Sequence, residues 1–165
     1  MQERSCLYIG ESETTPIGLL WLAVSGLGLV AVEANPSRAG FETHLVKRFK
    51  RPLEYAPMFV SEAAGQLNDY LAGRQRIFTL VIDWTVMRPF QRSVLQVTCE
   101  IPYGETRTYK EIAEHIGRPH AARAVGRAEA TNPMPLVIPC HRVIGSDGKL
   151  HGYGMAEGIK TKEWL

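Results

Sequence analysis

The 165-residue sequence predicts an α/β (α+β) chain in two parts, a small sheet-and-helix domain over residues 1–85 and a mainly helical domain over residues 86–165. Three observations point there: strand-like apolar runs near the start, apolar residues at helical spacing in the second half, and a basic balance confined to that half. Residues 1–85 hold 8 Lys and Arg against 9 Asp and Glu, which leaves 11 against 8 from the totals of 19 and 17.

In the first part, residues 17–24 and 28–32 are strand-like, and Ser25, Gly26 and Leu27 between them read as a hairpin. Cys6 lies in a strand pattern ahead of them. Ala63, Ala64, Leu67 and Leu71 recur at helical spacing before Gly73, a residue suited to stopping a helix. Residues 74–88 are expected to supply another strand and the linker.

The second part opens with Phe90, Val94, Leu95 and Val97, which suit a helix with one buried face ending near Ile101 and Pro102. Tyr109, Ile112, Ala113 and Ile116 then fall at i, i+3, i+4 and i+7, Gly117, Arg118 and Pro119 break the run, and residues 121–130 form a second helix. This is a helix-turn-helix pattern, shared by DNA readers and by purely structural helical hairpins. The second helix carries small residues, Ala121, Ala122, Ala124, Gly126, Ala128 and Ala130, interrupted by Arg123 and Arg127. Small side chains permit close backbone approach, either to a partner or to the helix's own core.

The chemistry concentrates in residues 132–143, where an apolar run leads into Cys140, His141 and Arg142. Pro133, Pro135 and Pro139 push Asn132, Met134 and Ile138 into extended conformations and keep the segment out of helix. A thiol is a good nucleophile only as thiolate, which an adjacent imidazole and guanidinium favour. From the local residues alone, a small buried structural cysteine fits as well. Cys6 and Cys99 lack such basic neighbours and read as structural. The three cysteines have no zinc-type spacing, and their odd number argues against a disulfide scaffold.

The composition, 45% hydrophobic with a net charge of +2, is that of an ordinary globular protein. With no run of about eighteen apolar residues and no signal-peptide pattern, a soluble cytoplasmic protein without a membrane partner is expected. The modest positive balance permits phosphate contact without requiring it.

The box Pro139-Cys140-His141-Arg142-Val143 resembles the active-site signature of the O6-alkylguanine-DNA alkyltransferases, the methylated-DNA-protein-cysteine methyltransferases. Other segments are similar to the family in the same order: Pro89-Phe90-Gln91, residues 101–106, Tyr109, residues 121–126, Asn132-Pro133, Gly152-Tyr153 and residues 162–165. About half the chain is covered, and ordered agreement of this kind is specific.

The resemblance implies single-turnover, irreversible transfer of an alkyl group from O6-alkylguanine in double-stranded DNA to Cys140, by a monomer needing no metal or organic cofactor. It implies that the second helix enters the minor groove, with Ala122 and Arg127 at the DNA and Arg123 filling the place of a flipped-out nucleotide. Tyr109 would crowd the backbone and hydrogen-bond the extruded guanine, His141 would act as a base through water, and Asn132 would order the turn beneath the pocket. The carbonyls of Cys140 and Val143, with the Tyr153-Gly154 backbone, would hold the base, and Arg142 would serve mainly as support.

Three departures accompany the resemblance. Family members usually continue past Lys-Glu-Trp-Leu to a glutamate that holds the histidine, whereas this sequence ends at Leu165, so slow transfer is expected. Residues 154–158 are longer than the family's compact glycine-rich loop. Glu129 places a negative charge on the expected DNA-facing helix, opposing phosphate unless it faces away. A second reading, a non-catalytic protein that binds the lesion, flips the base and flags it for another pathway, stays open. A transcription regulator is a third.

Overall fold

The computed structural model describes residues 6–34 and 37–165, and the chain divides into two compact units, Met1–Val86 and Met87–Leu165. In the first unit, β1 (Leu7–Thr15), β2 (Gly18–Ser25), β3 (Gly28–Ala34) and β4 (Leu53–Tyr55) form one sheet in the order β3-β2-β1-β4, antiparallel except for the parallel β1–β4 pair. Alternation along the strands sends Leu7, Ile9, Trp21 and Ala23 to a core shared with Phe41 and Leu45 of α1 (Arg38–Phe49). Behind them, a Cβ at Gly10 would stand 2.5 Å from Val60 Cγ2, so that glycine lets the chain just before α2 (Ser61–Leu71) lie close on β1.

The hairpin is tighter than its three-residue reading. Ser25 pairs with Gly28, leaving Gly26 and Leu27 as the loop, and Gly28 takes φ +135°, a conformation open to glycine. Two elements were not legible. Helix α1 offers only Phe41 and Leu45 as buried positions, one turn apart, and β4 is a three-residue edge strand.

The strand expected within residues 74–88 does not form. The segment makes a single bridge, Ile82 with Leu29, followed by a 3-10 turn at Trp84–Val86. The reason lies in Asp83, whose Oδ1 accepts the Thr85 amide at 3.0 Å while its Oδ2 accepts the Ser25 hydroxyl at 2.6 Å. That side-chain turn replaces further ladder pairing.

The second unit packs α3 (Pro89–Cys99), α4 (Tyr109–His115) and α5 (Ala122–Ala130) around Val94, Ile101, Ile112, Ala113, Val125, Ala128 and Val143. Fully burying a Val or Ile side chain contributes about 1.5–3 kcal/mol, and four of these are at 1% exposure or less. Helix α4 begins in a capping box: Thr108 Oγ1 accepts the Glu111 amide at 3.1 Å and Glu111 Oε2 accepts the Thr108 amide at 2.6 Å. Past its end, Gly117 takes φ +70° and turns the chain toward α5, completing the helix-turn-helix.

A short parallel pair, β5 (Arg107–Thr108) with β6 (Val143–Ile144), decides where the chemistry sits. It clamps the start of α4 beside the chain leaving Cys140, bringing Tyr109 and the cysteine segment together from 31 positions apart in sequence. Helix α6 (Ile159–Trp164) completes the unit. Among the described residues, no helix is long and apolar enough to cross a membrane.

Candidate active site

Asn132 organises the loop ahead of the cysteine. Its Nδ2 donates to the Ile138 carbonyl and its Oδ1 accepts the Met134 amide, both at 2.9 Å. The Ile138 amide donates to Met134 O at 2.9 Å, and Leu136 takes the left-handed conformation at φ +75°. Met134, Leu136 and Ile138 are buried, so the three prolines and the asparagine shape an apolar loop closed on itself. Cys140 follows in a 3-10 turn, Cys140–Arg142.

The cysteine is 7% exposed, and burial pushes its thiol up to about 12. The Glu129 carboxylate adds to that rise; a hydrogen bond from Asn132 and the charge of Lys162 partly offset it. The sequence expectation that His141 and Arg142 would hold a thiolate is therefore corrected: desolvation outweighs every favourable partner. His141, 6% exposed, is pushed down to about 3 by burial, then by Arg142 and Lys162, so its imidazole is neutral at pH 7. Arg142 Nη1 donates to the Ile101 carbonyl at 2.7 Å, and its guanidinium lies 5.5 Å from the Tyr103 ring centroid, tying the turn to the end of α3.

Tyr109 is half-buried at the start of α4. Its ring lies on α5, where a Cβ at Gly126 would meet Cδ1 and Cε1 at 3.8 Å. Burial, then Glu129 and Cys140, raise its phenol, so the hydroxyl is protonated at neutral pH and available as a donor. Lys162 is 3% exposed, with Nζ donating to His151 O at 2.8 Å and lying 5.9 Å from the Tyr109 ring centroid.

Arg123 and Arg127 stand on the exposed side of α5, four residues apart, and neither side chain makes an ion pair or hydrogen bond among the described residues. Ala122 is half-buried beside them. Glu129, read from sequence as a charge opposing phosphate unless it faces away, is on the buried stripe with Val125 and Ala128, at 6% exposure. Its spacing of four from Val125 was the available signal. Lys162 had none: nothing in the pattern around residues 159–164 marks that lysine as buried.

Val143 is fully buried, and its amide donates to Cys140 O, leaving that carbonyl a second lone pair. Tyr153 is half-buried with its hydroxyl 3.9 Å from Met155 Sδ, and Gly154 is exposed. The loop after them turns through Ala156 at φ +48° and Gly158 at φ +64° and is anchored by buried Met155. Among the described residues, no group of three His, Cys, Asp or Glu side chains is placed to hold a metal ion.

Fold and site together define a helix-turn-helix protein built around a buried thiol. Residues 89–165 match the profile of the 6-O-methylguanine DNA methyltransferase, DNA binding domain. The methylated-DNA–protein-cysteine methyltransferase of Methanosarcina barkeri is 46% identical over 153 residues, 92% of this chain and 90% of the relative, and that of Mycobacterium bovis is 51% identical over 156 residues, 92% and 86%. The Mycobacterium tuberculosis O6-methylguanine methyltransferase has a similar crystal structure, with TM-score 0.77, 40% identity, and coverage of 96% of this chain and 90% of that one. The crystal structure of the same organism's OGT in complex with DNA gives TM-score 0.74 at 39% identity, covering 96% and 88%. The chain belongs to the methylated-DNA–protein-cysteine methyltransferase family.

Proposed function

We propose that the protein repairs O6-alkylguanine in duplex DNA directly, with Cys140 as the acceptor. The observation that carries this is the placing of a single buried thiol, a neutral histidine and a protonated tyrosine around one turn of a helix-turn-helix unit. In the transfer, the Cys140 sulfur attacks the alkyl carbon, an S–C bond forms, the C–O6 bond breaks, and its electron pair returns to the guanine. The attack is in line, which stacked bases forbid, so the nucleotide must leave the duplex. Arg123 fills the vacated place, Ala122 and Arg127 lie along the DNA, and the Tyr109 hydroxyl gives its proton to the guanine so that it departs neutral, the proton taken from the thiol being returned through solvent to the tyrosine.

His141 receives the thiol proton through a water, and Asn132 keeps the turn in place while its side chain favours the thiolate. The Cys140 and Val143 carbonyls and the backbone at Tyr153 and Gly154 read the base edge. With the thiol near 12 and the imidazole near 3, transfer of that proton is steeply uphill in the free protein. Deprotonation therefore waits on substrate, which displaces water and brings its own polar groups to the sulfur. The thioether product has no easy leaving group, so one molecule corrects one lesion. The protein acts as a cytoplasmic monomer without a cofactor.

The test is incubation of the reduced protein with duplex DNA carrying labelled O6-methylguanine. Label is expected on the Cys140 peptide, one methyl per protein, and none on Cys140→Ser. Tight lesion binding by the native protein with no mass gain would overturn the repair reading in favour of the lesion-flagging one.

A further inference from the structure

Glu129 is the acidic side chain that α5 buries, and the transfer chemistry gives it no task. Its Oε1 meets Thr98 Oγ1 of α3 at 2.5 Å, while Oε2 has no hydrogen-bond partner among the described residues. The same threonine hydroxyl lies 3.0 Å from the Val94 carbonyl. A hydroxyl has one proton to give. With Glu129 protonated on Oε1, the carboxyl donates to Thr98 and Thr98 donates to Val94, and the undonated Oε2 is only a neutral carbonyl oxygen. With Glu129 ionised, Thr98 must turn its proton to the carboxylate, and the second oxygen stays buried without a donor. The arrangement admits both charge states and prefers the neutral one.

The groups within reach of that charge are Cys140 in the 3-10 turn, Tyr109 on α4, Lys162 on α6, and Cys99 beside Thr98 on α3. Of these, only Lys162 is cationic, and its Nζ is already committed to His151 O. The carboxyl and the acceptor sulfur are both buried in this unit, and the Glu129 carbonyl accepts the amide of Asn132, the residue that orders the Cys140 loop, at 3.0 Å, while Lys162 is the one cation among these groups.

We infer that Glu129 is a positioning residue for the thiol, acting as a charge brake: ionised, it opposes the Cys140 thiolate against the pull of Lys162, and protonated, it releases it. The inference rests on Cys140 being the acceptor. Burial pushes Glu129 up to about 7, so the brake engages across the neutral range, off below it and on above. The rise of thiolate with pH is consequently shallower through that range than a lone thiol would give. Each unit of thiol shift is tenfold in thiolate, and a less basic thiolate is about threefold poorer as a nucleophile, for a net effect of about threefold.

The measurement is the rate at which iodoacetamide labels Cys140 in the full chain between pH 5.5 and 8.5, followed by mass spectrometry of the Cys140 peptide. Glu129→Gln should react about threefold faster than wild type at pH 8.5 and equally at pH 5.5. Thr98→Val keeps the carboxyl but removes the donor to its ionised form, so the bend in the profile should move to higher pH. Superimposable profiles for wild type and Glu129→Gln overturn the inference, as does a rate difference that is the same at every pH. If Glu129→Gln does not fold, an unmoved bend in Thr98→Val overturns it alone. Methyl transfer from lesion-bearing duplex is scored separately: its absence beside the expected iodoacetamide profiles counts against the repair reading and leaves the brake standing.

Discussion

Replacing Glu129 by Gln should change the pH dependence of stability by an amount the fold sets. The carboxyl titrates at its ordinary value of 4.5 in the unfolded chain and is pushed up by burial to about 7 in the folded one. Because the folded value is raised, the stabilisation is complete below 4.5 and is lost progressively as pH rises towards 7, where the fold must bury an ionised carboxylate. The shift corresponds to about 3 kcal/mol. Gln does not titrate, so the variant's stability relative to wild type should grow by about that much between pH 4.5 and 8. Any constant cost of seating the amide against Thr98 cancels between the two pH values, as does His141, whose own titration runs in the opposite sense in both proteins. For a chain of this length the relative gain in Tm is about 6–12 °C. Thermal unfolding of the two proteins at both pH values reads it. An identical Tm difference at pH 4.5 and pH 8 would refute the placement of a titrating carboxyl inside the helical unit.

Other perturbations have equally definite outcomes. His141 is held near 3 against 6.5 unfolded, so its stabilisation is complete above 6.5 and is lost as pH falls towards 3; His141→Gln should flatten the acid side of the stability profile and slow methyl transfer by about 100-fold or more, read by pH-dependent melting and by single-turnover label transfer. Asn132→Ala strips partners from the Ile138 carbonyl and the Met134 amide and should cost about 2–4 kcal/mol in urea unfolding, with slower iodoacetamide labelling of Cys140. Arg123→Ala, on an exposed face, should leave the melting temperature and iodoacetamide rate unchanged while lowering affinity for lesion-bearing duplex by at least about tenfold in a fluorescence-anisotropy titration. An unchanged affinity would remove Arg123 from the DNA.

Much of the second unit was legible because its signals are local. Tyr109, Ile112, Ala113 and Ile116 declare α4 by their spacing, Gly117 follows its end, and the prolines ahead of Cys140 keep that segment out of helix, although it turns back on itself rather than running extended. What sequence could not convey depends on burial and on long-range pairing. The β5–β6 clamp is two residues long and parallel, leaving no periodic trace, yet it joins Tyr109 to the cysteine turn. The charge state of Cys140 is not readable from the sequence because adjacent basic residues are visible there while loss of water is not. Residues 74–88 resembled a strand until the Asp83 side chain turned the backbone away. Helix α1 leaves no periodic apolar trace because only two of its twelve residues are buried.

The depth of Cys140 also bears on how the sulfur survives until it is needed. With its titration pushed up to about 12 by burial, far less of the protein carries the reactive anion at pH 7 than the few per cent of a thiol free in water. Peroxides attack thiolates, and the sulfinic and sulfonic products are not recovered. On the proposed repair reading, an acceptor that can be spent once is thereby shielded from oxidants that would consume it without correcting any base.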